Sequence, residues 1–273
     1  MTEKPIIQDP PPAPPRRAGP AAMRRVASAD LVEPLKAHRC WLERGHADGC
    51  RLHLESCDLT DVALQGALLS RAKLNRAVLK RARLSAAQLG RANLIGVDLE
   101  DAVLDRAHLV GARLSGANLR RADLTEVQAA DLEAEFADFS GARLDHADLS
   151  GADLSGVTMV GASLMGTRLC GVNLRGADLR EARLGGADLQ RAKLGGADLR
   201  GADLAGANLR GAYLRLTRLD EANLAGADVS DAAWLTQAQL DRSPLDEAVR
   251  RPADPPPSHG DQTGRPAGAH GDE

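Results

Sequence analysis

Aromatic side chains are almost missing from this chain: two tryptophans, one tyrosine and two phenylalanines among 273 residues. That is too few to fill a conventional globular core of this length or to build a surface on which nucleobases stack. Proline is absent between Pro34 and Pro244, although it is frequent outside those limits. A ladder in which every backbone amide donates tolerates no proline, so the gap marks a long uninterrupted hydrogen-bonded region. There is no run of eighteen apolar residues and hence no expected membrane span. The N-terminus lacks the apolar core of a signal peptide, so the expected location is cytoplasmic. Four cysteines in so long a chain do not make a secreted disulfide scaffold. A formal net charge of −3 excludes a strongly basic nucleic-acid binder.

Repetition takes the place of these missing features. From Leu52 to Trp234 a large apolar residue recurs at every fifth position, and a small one stands two places before it. Leucine fills 31 of the 37 large sites and alanine fills 27 of the small ones, so the pattern is a tandem repeat and not chance. The clearest run is Gly171 to Gly211, with Leu174, Leu179, Leu184, Leu189 and so on. Residues two apart on an extended segment point to the same side. Each repeat is therefore a three-residue strand with an apolar inner face and a polar residue, often Asp or Asn, facing out. The next two residues turn the chain, and glycine is common at the second because turns of type II need φ > 0 there. If each corner turns about 90°, four repeats close a square of twenty residues, and stacked squares lie roughly 4.8 Å apart.

Arrays of A-D-L-x-G of this kind resemble the pentapeptide-repeat family. The resemblance implies an all-β solenoid, a right-handed quadrilateral parallel β-helix, here of about nine coils with short helical caps and disordered tails. The expected organisation is a proline-rich leader at 1–29, a helical cap at 30–51, the β-helix at 52–234, a second helical cap at 235–250 and a tail at 251–273. In the first cap Pro34 suits an opening turn, Leu35, His38 and Leu42 with Trp41 form an apolar face, and Gly45 is a stop. In the second, Thr236 to Gln239 reads as a capping box, and Ser243-Pro244 could open another helix through Val249.

One segment breaks the leucine pattern. Ala129 and Ala134 occupy large sites, while Leu132 and Phe136 read as out of frame. Residues 127–136 are therefore expected to be a degenerate coil, or to bulge or extrude a loop. The neighbourhood is acidic, and Glu126, Asp131, Glu133, Glu135, Phe136 and Asp138 are the candidate partner-binding residues. Trp234, Leu235 and Leu240 are candidates for a cap or a homodimer contact at the C-terminal end.

No constellation for catalysis is present: no G-x-S-x-G, no phosphate loop, no dinucleotide fingerprint and no H-E-x-x-H. His38, Cys40, His46, Cys50, His53 and Cys57 cluster in sequence, but their spacing matches no common zinc pattern. No cofactor, metal or catalytic residue is assigned. Thr167 and Thr217 at inner sites are expected to bond the backbone. Residues 51–125 carry 12 basic and 8 acidic side chains, 126–170 carry 2 and 8, and 171–234 carry 9 and 9, so acidity is confined to the middle.

A stiff rod with a packed interior has no cleft for a substrate, which points to a non-enzymatic protein-binding or scaffold role. The resemblance implies an alternative, DNA-mimic protection of DNA gyrase or topoisomerase IV against quinolones and other poisons. A further alternative is an adaptor or effector of a secretion system. Direct binding of nucleic acid is not expected.

Overall fold

In a computed structural model of the chain, residues 23–46 and 49–243 are described. The proline-rich leader, the helix through Val249 and the tail expected from 251 fall largely or wholly outside them.

The repeat dictates the architecture. Parallel bridges join residues twenty apart without interruption, from His53↔Lys73 to Tyr213↔Ala233. Four five-residue sides thus make each coil. The outward residues name the sides: side 1 runs from His53 to Ala233, side 2 from Asp58, side 3 from Ala63 and side 4 from Leu68.

Backbone hydrogen bonds explain why the sequence must be so regular. Within one repeat, the amide of Leu84 donates to Val103 O (2.7 Å) and that of Ala86 to Asp105 O (2.9 Å), both in the following coil. The amide of Arg83 donates to Val62 O in the preceding coil, and that of Ala87 closes the corner onto Leu84 O, each at 2.9 Å. Along the array positive φ falls at the residue before the closing amide (Ala86, φ 55), as in a type II turn, Trp234 at the array's end being the exception.

One amide per repeat remains, that of the residue after the large site. The outward Asp or Asn supplies its partner: Thr60 N donates to Asp58 Oδ1 (3.0 Å), Ser140 N to Asp138 Oδ1 (2.9 Å) and Ala205 N to Asp203 Oδ1 (3.1 Å). A short side-chain acceptor two residues back is an Asx turn. The recurrent Asp is therefore a backbone ligand.

The interior holds alternating Ala and Leu that are almost completely buried. A buried leucine contributes roughly 1.5–3 kcal/mol by leaving water, so the rod is held by repetition of one small term. Thr167 and Thr217 are buried as expected and donate to Leu144 O and Leu194 O, both at 2.8 Å.

The structure corrects two expectations. First, Leu132 is not out of frame, and residues 127–136 form the degenerate coil with no bulge or extruded loop. The bridges His108↔Gln128, Arg113↔Glu133 and Glu133↔Asp153 keep the twenty-residue register. Leu132 is in phase at a small site and buried, with Ala134 buried at the adjacent large site. The two have exchanged the usual sizes, which conserves volume and needs no slip. Of the large apolar residues in the segment, Phe136 alone points out. Second, the leader expected to end at 29 already contributes structure. Strand β1, Arg24–Arg25, pairs in parallel with β2, Cys57–Asp58, on the first coil. Val26 is buried, and its amide donates to Asp58 O (2.9 Å).

A 3-10 turn, Ser28–Leu31, leads into helix α1, Val32–Glu43, which covers the open end. Its stop has Gly45 at φ 62, with the amide of His46 donating to Trp41 O. His38 pins the helix down. It is fully buried, lies 3.1 Å from Ser70 O through Nε2, and accepts at Nδ1 from Leu52 N at 3.1 Å. At the far end α2, Gln237–Leu240, begins with the expected box of Thr236 and Gln239. Gln239 then donates to Leu214 O and Thr217 O, and Ser243 Oγ to Leu219 O, occupying carbonyls of the terminal coil.

Candidate functional site

With the interior packed, the side chains open to a partner are those on the outside. The four sides differ in how their charges are used. Side 2 and the corner after it neutralise themselves except at Arg120, which has no ion pair among the described residues. Lys80 pairs with Asp98 (3.1 Å) and Glu100 (2.8 Å), Arg81 with Asp61 (2.8 Å), Arg121 with Asp101 (2.8 Å) and Glu100 (2.7 Å). Arg180 and Arg200 fold back on Asp178 and Asp198 at 2.7 Å. These bonds hold the Asp178 and Asp198 carboxyls below the usual range, chiefly through the arginine hydrogen bonds.

Side 1 and its two corners behave otherwise. Arg71, Lys73, Arg76 and Arg91 near α1, and Arg175, Arg191, Lys193 and Arg215 toward α2, have no ion pair among the described residues. Between the two basic stretches lies an acidic belt, Asp131, Glu133 and Glu135 on one coil and Asp153 on the next. Glu133 pairs with Arg113 (2.9 Å), and Glu135 accepts from the Ser115 hydroxyl.

The candidate residues divide accordingly. Asp131, Glu133, Glu135 and Phe136 come together on side 1 and its corners. Asp138 lies past the corner on side 2, bonded to Ser140. Glu126 sits on the diagonally opposite corner, between sides 3 and 4, and does not join them. At the C-terminal end Leu240 is buried and Leu235 packs against the core, so both serve the cap. Trp234 alone faces out, 64% exposed, edge-on to Tyr213 (6.5 Å between ring centres) and 5.7 Å from the Arg215 guanidinium.

A feature that composition did not disclose is where the large apolar side chains stand. Phe136 and Leu216 are each 76% exposed and have φ of 58 and 59. Left-handed backbone costs an ordinary L-residue roughly 1–2 kcal/mol. Among the described residues with positive φ, only Phe136, Leu216 and Trp234 are large and apolar, and all three lie along side 1 or its corner. Phe136 and Leu216 occupy the same corner column, separated by Gly156, Gly176 and Gly196. The Phe136 ring lies over Gly156, where an added Cβ would sit 2.6 Å from Cε1. The sequence signal was present: positions 136 and 216 are the glycine-rich corner position of the repeat, filled there by Phe and Leu.

The His/Cys cluster does not converge. Cys57 is buried inside, Cys50 is exposed, and His38 is held by the backbone. Among the described residues no group of three or more His, Cys, Asp or Glu side chains is placed to hold a metal. A cavity of about 250 Å³ lies beneath α1, lined partly by Val26, Leu31, Pro34 and Leu52. Among the described residues no helix is long and apolar enough to cross a membrane.

The family model for pentapeptide repeats matches in eight copies, over residues 57–94, 87–126, 135–171, 168–204 and 197–232. The chain belongs to the pentapeptide-repeat family. The matches omit 127–134, the coil whose inner sizes are exchanged. Among solved pentapeptide-repeat structures, the chain is similar to HetL, involved in heterocyst differentiation regulation in the cyanobacterium Nostoc, at 32% identity over 71% of this chain and 92% of HetL, with a TM-score of 0.50. The chain also aligns with two others at lower TM-scores. One is full-length QnrB1, a plasmid-mediated fluoroquinolone resistance protein, at 19% identity over 69% of this chain and 91% of that one, TM-score 0.37. The other is a pentapeptide-repeat protein of the Arabidopsis thaliana thylakoid lumen, at 36% identity over 37% and 67%, TM-score 0.28. No curated protein sequence matches the chain.

Proposed function

We propose that this pentapeptide-repeat protein is a non-enzymatic scaffold, a right-handed quadrilateral rod of about nine coils that binds another protein through side 1. One observation carries the reading. Ion pairing occupies side 2, whereas side 1 keeps two groups of unpaired cations around an acidic belt. Surface charges that are not used within the fold are free to steer and orient a partner. A cytoplasmic setting suits such a role.

The alternative of topoisomerase protection by DNA mimicry requires a continuous negative stripe, because duplex DNA carries dense, regular charge. The most acidic outer column, Asp58, Asp98, Asp138, Asp178 and Asp198, is interrupted by Val78, Asn118 and Thr158. Its carboxylates also hold backbone amides and arginines. The charge pattern therefore favours the general scaffold. The adaptor reading differs from it only in the partner's identity.

The test is affinity purification of the tagged chain from its host beside a side-1 variant, Arg71→Glu/Arg76→Glu/Arg175→Glu/Lys193→Glu. A partner held by the natural chain and released by the variant supports the reading. Equal capture by both places binding on another surface. A gyrase supercoiling assay with a quinolone tests the alternative, and light scattering of a Trp234→Glu variant tests pairing of two copies through the C-terminal end.

A further inference from the structure

Phe136 and Leu216 combine two unfavourable features, exposure of a large apolar group and left-handed backbone, at positions where the fold is best served by glycine. Between them the corner offers Gly156, Gly176 and Gly196, a strip one residue wide without side chains. Four coil spacings separate the two anchors, roughly 19 Å at the usual strand spacing. Trp234 extends the apolar surface beside Leu216, next to Tyr213. Along the same strip stand Arg175, Lys193 and Arg215, which make no ion pair among the described residues.

We propose that the ridge from Phe136 to Leu216 docks an extended acidic segment of a partner protein. Two apolar side chains of that segment rest on Phe136 and on Leu216 with Trp234, and its carboxylates lie over Arg175, Lys193 and Arg215. The proposal rests on the scaffold reading and supplies the chemistry of its partner. The narrowness of the strip selects an extended chain, because a helix with its side chains is about 10 Å or more across. An extended chain covers the gap in about six residues, and residues six apart point to the same side. Glu133, Glu135 and Asp153 stand at the Phe136 end of the strip, and the unpaired Arg175, Lys193 and Arg215 lie beyond them toward Leu216, so they select carboxylates in the part of the segment nearer Leu216.

The test uses the full chain and a fluorescein-labelled peptide, LDEDEDL, whose two leucines lie about 20 Å apart when extended. The composition-matched control is LLDEDED. Fluorescence anisotropy is expected to show at least tenfold tighter binding of LDEDEDL than of the control. Phe136→Gly/Leu216→Gly and Arg175→Glu/Lys193→Glu are each expected to lose at least tenfold. Arg83→Glu/Arg183→Glu, on side 3 and outside the proposed surface, is expected to change affinity less than twofold. Thermal melts of all variants confirm that the rod is intact. Equal affinity for both peptides, equal loss in Arg83→Glu/Arg183→Glu, or no saturable binding of LDEDEDL overturns the proposal. A cellular partner retained by Phe136→Gly/Leu216→Gly would leave the scaffold reading standing and remove this ridge from it.

Discussion

The amide of Leu52 donates to Nδ1 of His38 at 3.1 Å, and that bond fixes which nitrogen of the buried ring carries the proton. With Nδ1 accepting, Nε2 bears the hydrogen and donates to Ser70 O. A protonated ring would turn an N–H against the Leu52 N–H. Burial accordingly lowers the His38 pKa, the bond to Ser70 opposes the shift, and the nearby Arg51 charge adds to it.

A pH dependence of the N-terminal cap follows. The folded value lies below the ordinary 6.5, so the unfolded cap binds more protons between the two values. Cap stability is therefore full above about 6.5 and falls as pH drops through that value toward the folded one. Exchange of the Leu52 amide should accelerate as pH is lowered from 7.5 to 5.5, after correction for intrinsic exchange. His38→Leu should weaken the cap by about 1–3 kcal/mol at pH 7.5, because two buried backbone groups lose their partner. It should also abolish the pH dependence. A cap equally protected at both pH values would show that His38 does not titrate there.

The exchanged pair Leu132 and Ala134 predicts a strong coupling. Leu132→Ala alone should cost roughly 2–5 kcal/mol by leaving a cavity. Ala134→Leu alone should cost roughly 1–3 kcal/mol by overpacking the same coil. The double variant restores the order found in neighbouring coils, so urea unfolding should show a loss well below the sum of the two. Additive losses would mean that the two sites do not share one volume.

Glu100 accepts from Lys80 (2.8 Å) and Arg121 (2.7 Å), and these bonds lower its pKa to about 2. A depressed carboxyl contributes to stability above its unfolded value and loses that contribution as pH falls through the folded one. A carbon-13 NMR titration should place the Glu100 midpoint near 2. Arg121→Ala should move it upward toward an ordinary glutamate. A midpoint already ordinary in the natural chain would refute the network.

Leu216→Gly should keep or raise the melting temperature. Relief of left-handed backbone is worth roughly 1–2 kcal/mol, offset in part by the entropy of an unfolded glycine. A fall of several degrees would show that Leu216 contributes to the fold through packing.

The fold was legible in the sequence because one inner residue in five is nearly always leucine and no proline interrupts the ladder. Leu132 looks out of frame for the same reason: following leucine alone hides that it sits at a proper inner site. The role of the outward Asp also escaped a pattern of apolar positions, since its partner is the amide two residues on. Arg24 and Arg25 carry no strand signal at all, and only the exposed edge at Cys57 and Asp58 makes a strand of them. The exposed Phe136 and Leu216 were visible in the sequence. Their alignment along one corner needed the register of twenty.

That register makes residue number a coordinate. The remainder after division by twenty gives the direction in which a side chain faces, and the quotient gives its height on the rod. Removing twenty residues between Phe136 and Leu216 would bring the two anchors one step closer on the same corner. Removing five would instead carry Leu216 a quarter turn away and leave the inner pattern undisturbed. Spacing and facing can therefore be varied independently by insertions and deletions, with no substitution at either anchor.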